Sequence, residues 1–113
     1  MTTVVVEQQN GIYKGFYCMG HADYAKKRLF GKEPDILCSA ISAVTFHTIN
    51  GITEIVGDEI SVTENEETGF IKCEFPSQLQ FGSKLLMDCF IQTIQELSKQ
   101  YGEKYLTITI KEV

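Results

Sequence analysis

Two long stretches with helical periodicity, each preceded by two short strand-like segments, constrain the fold of this chain most strongly. Residues 36–55 contain no proline and a single glycine, and apolar residues recur there every three or four positions. Residues 79–101 repeat the pattern. The apolar stripe of this second stretch consists of Leu86, Phe90, Ile94 and Leu97. An amphipathic helix buries its apolar stripe against another element, so both stretches need a sheet or a further helix to pack on.

Five short segments have the composition or the alternation of β-strands. They span residues 1–8, 12–19, 59–63, 70–75 and 106–110. Asn10-Gly11, between the first two, is a strong signal for a two-residue hairpin turn. The element order is therefore ββαββαβ. We predict an α+β fold in two layers, in which two helices pack on a five-stranded mixed sheet. The strand order stays open, because crossover helices can also add parallel neighbours.

The size and charge of the chain narrow its class. With 113 residues we expect one domain. The net charge of −5 argues against binding to a nucleic-acid backbone, which requires a basic face. The basic run Lys26-Lys27-Arg28 is an exception, typical of a solvated loop or of a contact with an acidic or ribosomal partner. We find no 18-residue apolar run and no signal peptide, so we expect a cytoplasmic protein without membrane contact.

The four cysteines, at positions 18, 38, 73 and 89, match no zinc-site spacing. We therefore expect reduced thiols, and neither a metal nor a cofactor. Cys73 alternates with apolar residues in a predicted strand, and Cys89 lies among apolar residues of the second predicted helix. We predict that both are buried packing residues.

Cys38 lies close to the start of the first predicted helix, after Pro34 and the predicted N-cap Asp35. In that position free backbone N–H groups and the positive end of the helix dipole favour a thiolate. The same N–H groups could receive the oxyanion of an acyl-transfer reaction. The alternative is that Cys38 is only a small apolar residue.

His21 is the candidate base for Cys38. His47 lies nine residues beyond Cys38 on the same predicted helix, which puts it on the opposite side and roughly 13 Å along the axis. His21 instead follows Gly20 at the end of a predicted strand, where its side chain can project toward a helix terminus. A lone histidine at a strand end is usually structural or exposed, but together the two residues supply the base and nucleophile of a cysteine hydrolase.

Two polar residues near Cys38 have alternative roles. Asp35 is either a helix cap, which its spacing favours, or a third catalytic member that holds the His21 imidazole in one tautomer. Ser42 lies one turn after Cys38 on the same helix face. Its hydroxyl either orients the thiol or a bound peptide, or bonds the carbonyl one turn back.

The connection between His21 and Cys38 is long for a compact domain. Loops of this length, here residues 22–34, are often lids or binding loops, or else disordered. Gly31 could supply a hinge, and aromatic and aliphatic side chains could cover a peptide. We assign to this substrate loop Ala22, Tyr24, Leu29, Phe30, Gly31 and Pro34.

Gly20-His21-Ala22, followed by Asp35-Ile36-Leu37-Cys38 and by Ser42, resembles the ribosomal-processing cysteine protease family Prp. The element order is similar over essentially the whole chain. The resemblance implies that residues 1–113 form a single cysteine protease domain, with His21 as the catalytic histidine and Cys38 as the nucleophile. It also implies supporting places for Gly20, Asp35 and Ser42, and a mobile loop over the site.

The same resemblance implies a small bacterial cytoplasmic homodimer. Its substrate would be the precursor of a large-subunit ribosomal protein, number twenty-seven, which loses a short N-terminal extension. Cleavage would follow an aromatic-rich segment and precede a small residue, with no direct contact to nucleic acid. A non-catalytic peptide-binding or ribosome-assembly module is the alternative. A thiol redox protein is a third hypothesis, and it would need a disulfide from Cys38 to Cys18 or between subunits.

Overall fold

The computed structural model describes residues 1–24, 27–28, 31–32 and 35–113, with the backbone but not the side chains at 27–28 and 31–32. The elements are β1 (Thr2–Gln9), β2 (Ile12–Met19), β3 (Lys27–Arg28), β4 (Gly31–Lys32), α1 (Ile36–Asn50), a π-helical turn (Gly51–Val56), β5 (Ser61–Asn65), β6 (Phe70–Glu74), α2 (Phe81–Tyr101) and β7 (Leu106–Glu112). The predicted order is confirmed. The short hairpin β3–β4 is additional, in a segment where the sequence predicts only a loop.

The sheet is five-stranded and mixed, as predicted, with the strand order β5-β6-β2-β1-β7. The β5–β6, β6–β2 and β2–β1 pairs are antiparallel, whereas β1 and β7 are parallel. The parallel pair arises because α2 leads the chain from β6 across the sheet to the opposite edge. The turn between β1 and β2 has positive φ angles at Asn10 (51°) and Gly11 (77°), as a type I′ hairpin requires.

The core lies between the two helices and one face of the sheet. Val4, Val6 and Phe16 from the central strands are completely buried. Phe16 meets Phe90 of α2 with a ring-centroid distance of 4.8 Å. The predicted burial of Cys73 is confirmed.

The prediction that Cys89 is buried is wrong, because its side chain is exposed. The stripe of α2 that faces the core consists of Ser83, Met87, Phe90, Ile94 and Ser98. Cys89 precedes Phe90 by one residue, which turns it about 100° away from that stripe. Apolar neighbours along the chain therefore do not place a residue on the buried face.

The segment Ile36–Val56 is long and apolar enough to cross a membrane, by length and composition only. The sequence expectation missed it because threonine, serine and histidine interrupt the apolar run. In the fold one side of this segment packs on the sheet, through Leu37, Ile41 and Ile49. Of the most apolar 18-residue window in this segment, 33% is buried inside the fold. The other side of α1 is exposed, with Phe46 41% exposed.

Candidate active site

Asp35 caps the N-terminus of α1, as predicted. Its backbone is extended, with φ −83° and ψ 96°, and its Oδ1 accepts a hydrogen bond from the Cys38 N–H at 2.9 Å. The Asp35 carbonyl accepts the Ser39 N–H at 3.0 Å and so begins the helical ladder. These bonds place Cys38 in the first turn, where the helix dipole favours negative charge.

The cap changes which backbone groups could stabilise an oxyanion. The sequence expectation assigned this task to the first-turn N–H groups in general. The Cys38 N–H is already bonded to the cap. Of the other two first-turn residues, Ile36 is exposed and its N–H can reach a ligand, whereas Leu37 is completely buried.

The second oxygen of Asp35 connects the cap to the segment that follows His21. Its Oδ2 accepts the Tyr24 N–H at 2.8 Å. One carboxylate thus bridges the end of the His21 segment and the start of the helix that carries Cys38. Among the described residues, both of these bonds come from backbone amides and none comes from the His21 ring. This arrangement favours the role of Asp35 as a helix cap over its role as a third catalytic residue.

Gly20 turns the chain at the end of β2. Its φ is +86°, a conformation that side-chain-bearing residues rarely adopt, and an added Cβ would lie 2.5 Å from the Met1 carbonyl oxygen. The Gly20 carbonyl accepts a hydrogen bond from the Thr2 hydroxyl at 3.2 Å. His21 directly follows this turn.

The imidazole of His21 is exposed and bonds to the turn between β5 and β6. Its Nε2 lies 3.0 Å from the Glu67 carbonyl oxygen. A carbonyl can only accept, so Nε2 carries the proton in this arrangement, and the lone pair of a neutral ring is then on Nδ1. Sequence reasoning missed Glu67, because a backbone contact across 46 residues leaves no local signal.

The β5–β6 turn fits closely against His21 because it contains Gly69. This glycine has φ +67°, and an added Cβ would lie 2.7 Å from the Gly20 carbonyl oxygen and 3.1 Å from His21 Cε1. The position was also missed from the sequence. The signal that could have found it is the glycine that ends a polar turn between two strands.

His21 and Cys38 line the same cavity, which has a volume of about 280 Å³. Gly20 and Ser42 line it as well, whereas Asp35 does not belong to its lining. The apolar part of the lining consists mainly of Ile41, Phe46, Phe70 and Ile71. The structure therefore brings the base, the nucleophile and the serine of the sequence analysis together around one concave surface.

Ser42 keeps its hydroxyl available to this cavity. Thr45, on the same helix, donates its hydroxyl to the Ile41 carbonyl at 2.7 Å, which is the back-bonding alternative considered for Ser42. Ser42 is exposed and makes no such bond to any described residue. The geometry thus favours a role toward a thiol or a bound peptide.

The first residues of the predicted substrate loop are part of the packed interior. Ala22 is completely buried, and the Tyr24 ring lies edge-on to Tyr101 and Tyr105, with centroid distances of 5.0 and 5.1 Å. The prediction that Tyr24 covers a bound peptide does not fit this packing, which makes it an anchor instead. Gly31 is in β4 and pairs with Arg28.

Three other residues of the predicted loop, Leu29, Phe30 and Pro34, lie outside the described residues. Lys26 of the basic run is also outside them.

The other three thiols differ from Cys38 in burial. Cys38 is half-buried, whereas Cys18 and Cys73 are buried and Cys89 is exposed. Burial raises the pKa of Cys18 to about 11 and that of Cys73 to about 12. Cys18 lines the cavity beside Cys38, but both are free thiols. Cys89 and His47 line a separate groove between α1 and α2, so the exclusion of His47 as the partner of Cys38 agrees with the structure.

A family model described as cysteine protease Prp matches residues 1–106. The ribosomal processing cysteine protease Prp of Bacillus subtilis (strain 168) is 24% identical over 98 residues, which is 83% of each chain.

Solved structures share the fold. An essential ribosomal processing protease Prp from S. aureus, in complex with a covalently linked product peptide, has a TM-score of 0.85 at 20% identity. The match covers 98% of this chain and 100% of that one. A Streptococcus mutans protein has a TM-score of 0.82 at 18% identity, over 100% of this chain and 96% of the other. With the family model spanning nearly the whole sequence, the chain belongs to the cysteine protease Prp family, thiol-dependent peptide hydrolases of ribosomal processing.

Proposed function

We propose that this chain is a cysteine endopeptidase in which Cys38 is the nucleophile and His21 is the general base and acid. The observation that carries this proposal is that both side chains line one cavity at the capped end of α1. Residues 1–113 act as one protease domain. Gly20, Asp35 and Ser42 support the site without taking part in bond making.

The first half of the reaction forms an acyl-enzyme. His21 accepts the thiol proton at Nδ1, since Nε2 donates to the Glu67 carbonyl. The Cys38 sulfur attacks the scissile carbonyl carbon, and the oxyanion is received by the N–H of Ile36, the exposed residue of the first turn. His21 then returns its proton to the leaving amine as the peptide C–N bond breaks.

The second half of the reaction releases the acyl group. His21 takes a proton from a water molecule, which attacks the thioester carbonyl. The C–S bond breaks, and the free carboxyl product leaves as Cys38 recovers its proton. Asp35 positions both partners through backbone amides, one in each of the two segments it joins.

The proposed substrate is the short N-terminal extension of the large-subunit ribosomal protein number twenty-seven, cut after an aromatic-rich segment and before a small residue. Membership of the family supports this choice. The cavity supports it chemically, because Ile41, Phe46 and Phe70 form an apolar lining suited to an aromatic side chain. A volume of about 280 Å³ accommodates one or two side chains rather than a folded partner.

We also propose that the enzyme works as a cytoplasmic homodimer, without direct contact to nucleic acid or membrane. The net charge of −5 supports the absence of nucleic-acid binding. Exposed apolar residues on the helices support a second copy, since Phe81 is 74% and Leu85 47% exposed one turn apart.

The test uses a synthetic peptide that spans the extension junction. Cys38→Ala should abolish cleavage, and His21→Ala should lower kcat by about 10²- to 10⁴-fold. Cys89→Ala and His47→Ala are the matched controls, because these residues line a different groove, and both should cleave like the wild type. Cleavage by Cys38→Ala or His21→Ala at the wild-type rate would reject the assignment. Peptide binding without cleavage by the wild type would instead indicate the non-catalytic module.

A further inference from the structure

The strand β5 forms one edge of the sheet, and β6 is its partner on the inner side. All five residues of β5 are exposed. No described residue pairs with its outer side, which therefore presents backbone N–H and C=O groups to an incoming chain.

The register shows which residues of β5 present these groups. The Phe75 N–H donates to the Lys14 carbonyl of the β2 segment at 3.0 Å. Backbone direction alternates along a strand, so Lys72, three residues before Phe75, directs its groups toward β5. Lys72 pairs with Thr63, whose groups therefore point inward.

The neighbours of Thr63 then point outward. The N–H and C=O groups of Val62 and Glu64 are directed away from β6. The side chains of these two residues lie on the face of their partners Cys73 and Ile71, which are buried on the helix side. Glu64 accordingly lines the same cavity as Cys38.

The lining of the cavity is acidic on this side. Glu64 and Glu66 both belong to it, and neither forms an ion pair with any described residue. Glu67, the next residue, uses its carbonyl to bind His21. The free strand edge and the two carboxylates are thus continuous with the catalytic pair.

We propose that the outer edge of β5 is the strand on which the substrate docks, and that Glu64 and Glu66 select a lysine or arginine side chain in it. This inference rests on the proposed function and adds the docking surface and the charge preference. An extended peptide adds to the sheet through the backbone groups of Val62 and Glu64, about 4.8 Å from β5. Alternate side chains of the peptide then face the cavity, where the apolar lining takes one and the carboxylates attract a neighbouring cation.

The charge preference is tested with internally quenched peptides that share a phenylalanine-phenylalanine-alanine core and carry lysine, glutamine or glutamate on both sides. The wild type should prefer lysine over glutamine by about two- to fivefold in kcat/KM for each carboxylate. The double variant Glu64→Lys with Glu66→Lys should invert the order. Glu96→Lys with Glu103→Lys has the same net charge, changes exposed residues outside the cavity, and should keep the lysine preference.

The proposed backbone hydrogen bonds between β5 and the substrate are tested by changes in the enzyme and in the peptide. Val62→Pro removes an outward N–H, which an edge strand tolerates, and should raise KM at unchanged kcat. Val62→Thr keeps the N–H and is its control. If Val62→Pro lowers Tm, the backbone hydrogen bonds are tested with N-methylated peptides instead. N-methylation of every second residue in the stretch that pairs with β5 should slow cleavage, whereas N-methylation of the residues between them should not.

The outcomes separate the two proposals. Cys38-dependent cleavage that is equal for lysine, glutamine and glutamate peptides, or insensitive to every N-methyl group, would overturn the docking strand and leave the protease function intact. Failure of the wild type to cleave any of the peptides in a Cys38-dependent way would reject the proposed function and this inference with it.

Discussion

Among the residues that the structure describes, replacing Asp35 with alanine removes two hydrogen bonds that join the histidine segment to the cysteine helix. One goes from the Cys38 N–H to Oδ1 at 2.9 Å, and the other from the Tyr24 N–H to Oδ2 at 2.8 Å. Loss of a helix cap reduces the free energy of unfolding by about 1 kcal/mol. A second, part-buried hydrogen bond contributes about 1 kcal/mol more. For a domain near this size, a total of about 2 kcal/mol lowers Tm by roughly 8 °C.

The variant Asp35→Ser distinguishes the contributions of the two hydrogen bonds. Serine is an equally good N-cap but reaches only one amide, so we expect half the loss, a Tm roughly 4 °C below that of the wild type. The cap and Cys38 stay in place while the tether to Tyr24 is lost. We therefore expect kcat/KM to fall in Asp35→Ser although the helix end is preserved, because the His21 segment is less well positioned.

The assay combines thermal unfolding by circular dichroism with kcat/KM on the junction peptide. A Tm of Asp35→Ala within about 2 °C of the wild type would refute the bridging role, because loss of the helix cap alone should lower Tm by more than that. A shifted pH profile of kcat in Asp35→Ser, rather than a uniform loss, would instead indicate that the carboxylate acts on the imidazole.

Two further predictions concern the β5–β6 turn and the thiols. Gly69→Ala should lower kcat/KM at least tenfold, because the added Cβ would lie 3.1 Å from His21 Cε1. The control Gly57→Ala, at φ +91° with open space around it, should lower only Tm, and equal kcat/KM for the two variants would contradict the prediction. Brief iodoacetamide treatment of the folded protein at pH 8 should label Cys38 before Cys18, because burial raises the pKa of Cys18 to about 11. Peptide mapping that finds Cys18 labelled first would contradict the described burial.

Local patterns in the sequence were sufficient for the elements and for the helix end. The β1–β2 turn was predictable because Asn10-Gly11 tolerates the positive φ angles that a tight hairpin needs. Asp35 was predictable as an N-cap because it is a favoured capping residue and because the chain is not yet helical around Pro34, directly before it. These features depend on a few consecutive residues, so tertiary contacts do not alter them.

The rest depends on contacts that no local pattern encodes. Tyr24 was expected over a bound peptide, but it packs against aromatic residues 77 and 81 positions away, at Tyr101 and Tyr105. The bond from His21 to Glu67 joins two turns that only the sheet brings together. Cys89 illustrates the same limit within a helix, since a rotation of about 100° separates an exposed position from its buried neighbour.

The central claim, that Cys38 attacks the substrate with the help of His21, is tested most directly by trapping the nucleophile. A peptide chloromethyl ketone with the aromatic-rich sequence of the extension is mixed with the native enzyme, and the site of alkylation is mapped by tandem mass spectrometry. We predict one adduct per chain, on Cys38, with loss of cleavage in proportion to labelling and much slower labelling of His21→Ala. Full cleavage activity after complete alkylation of Cys38 would contradict the account.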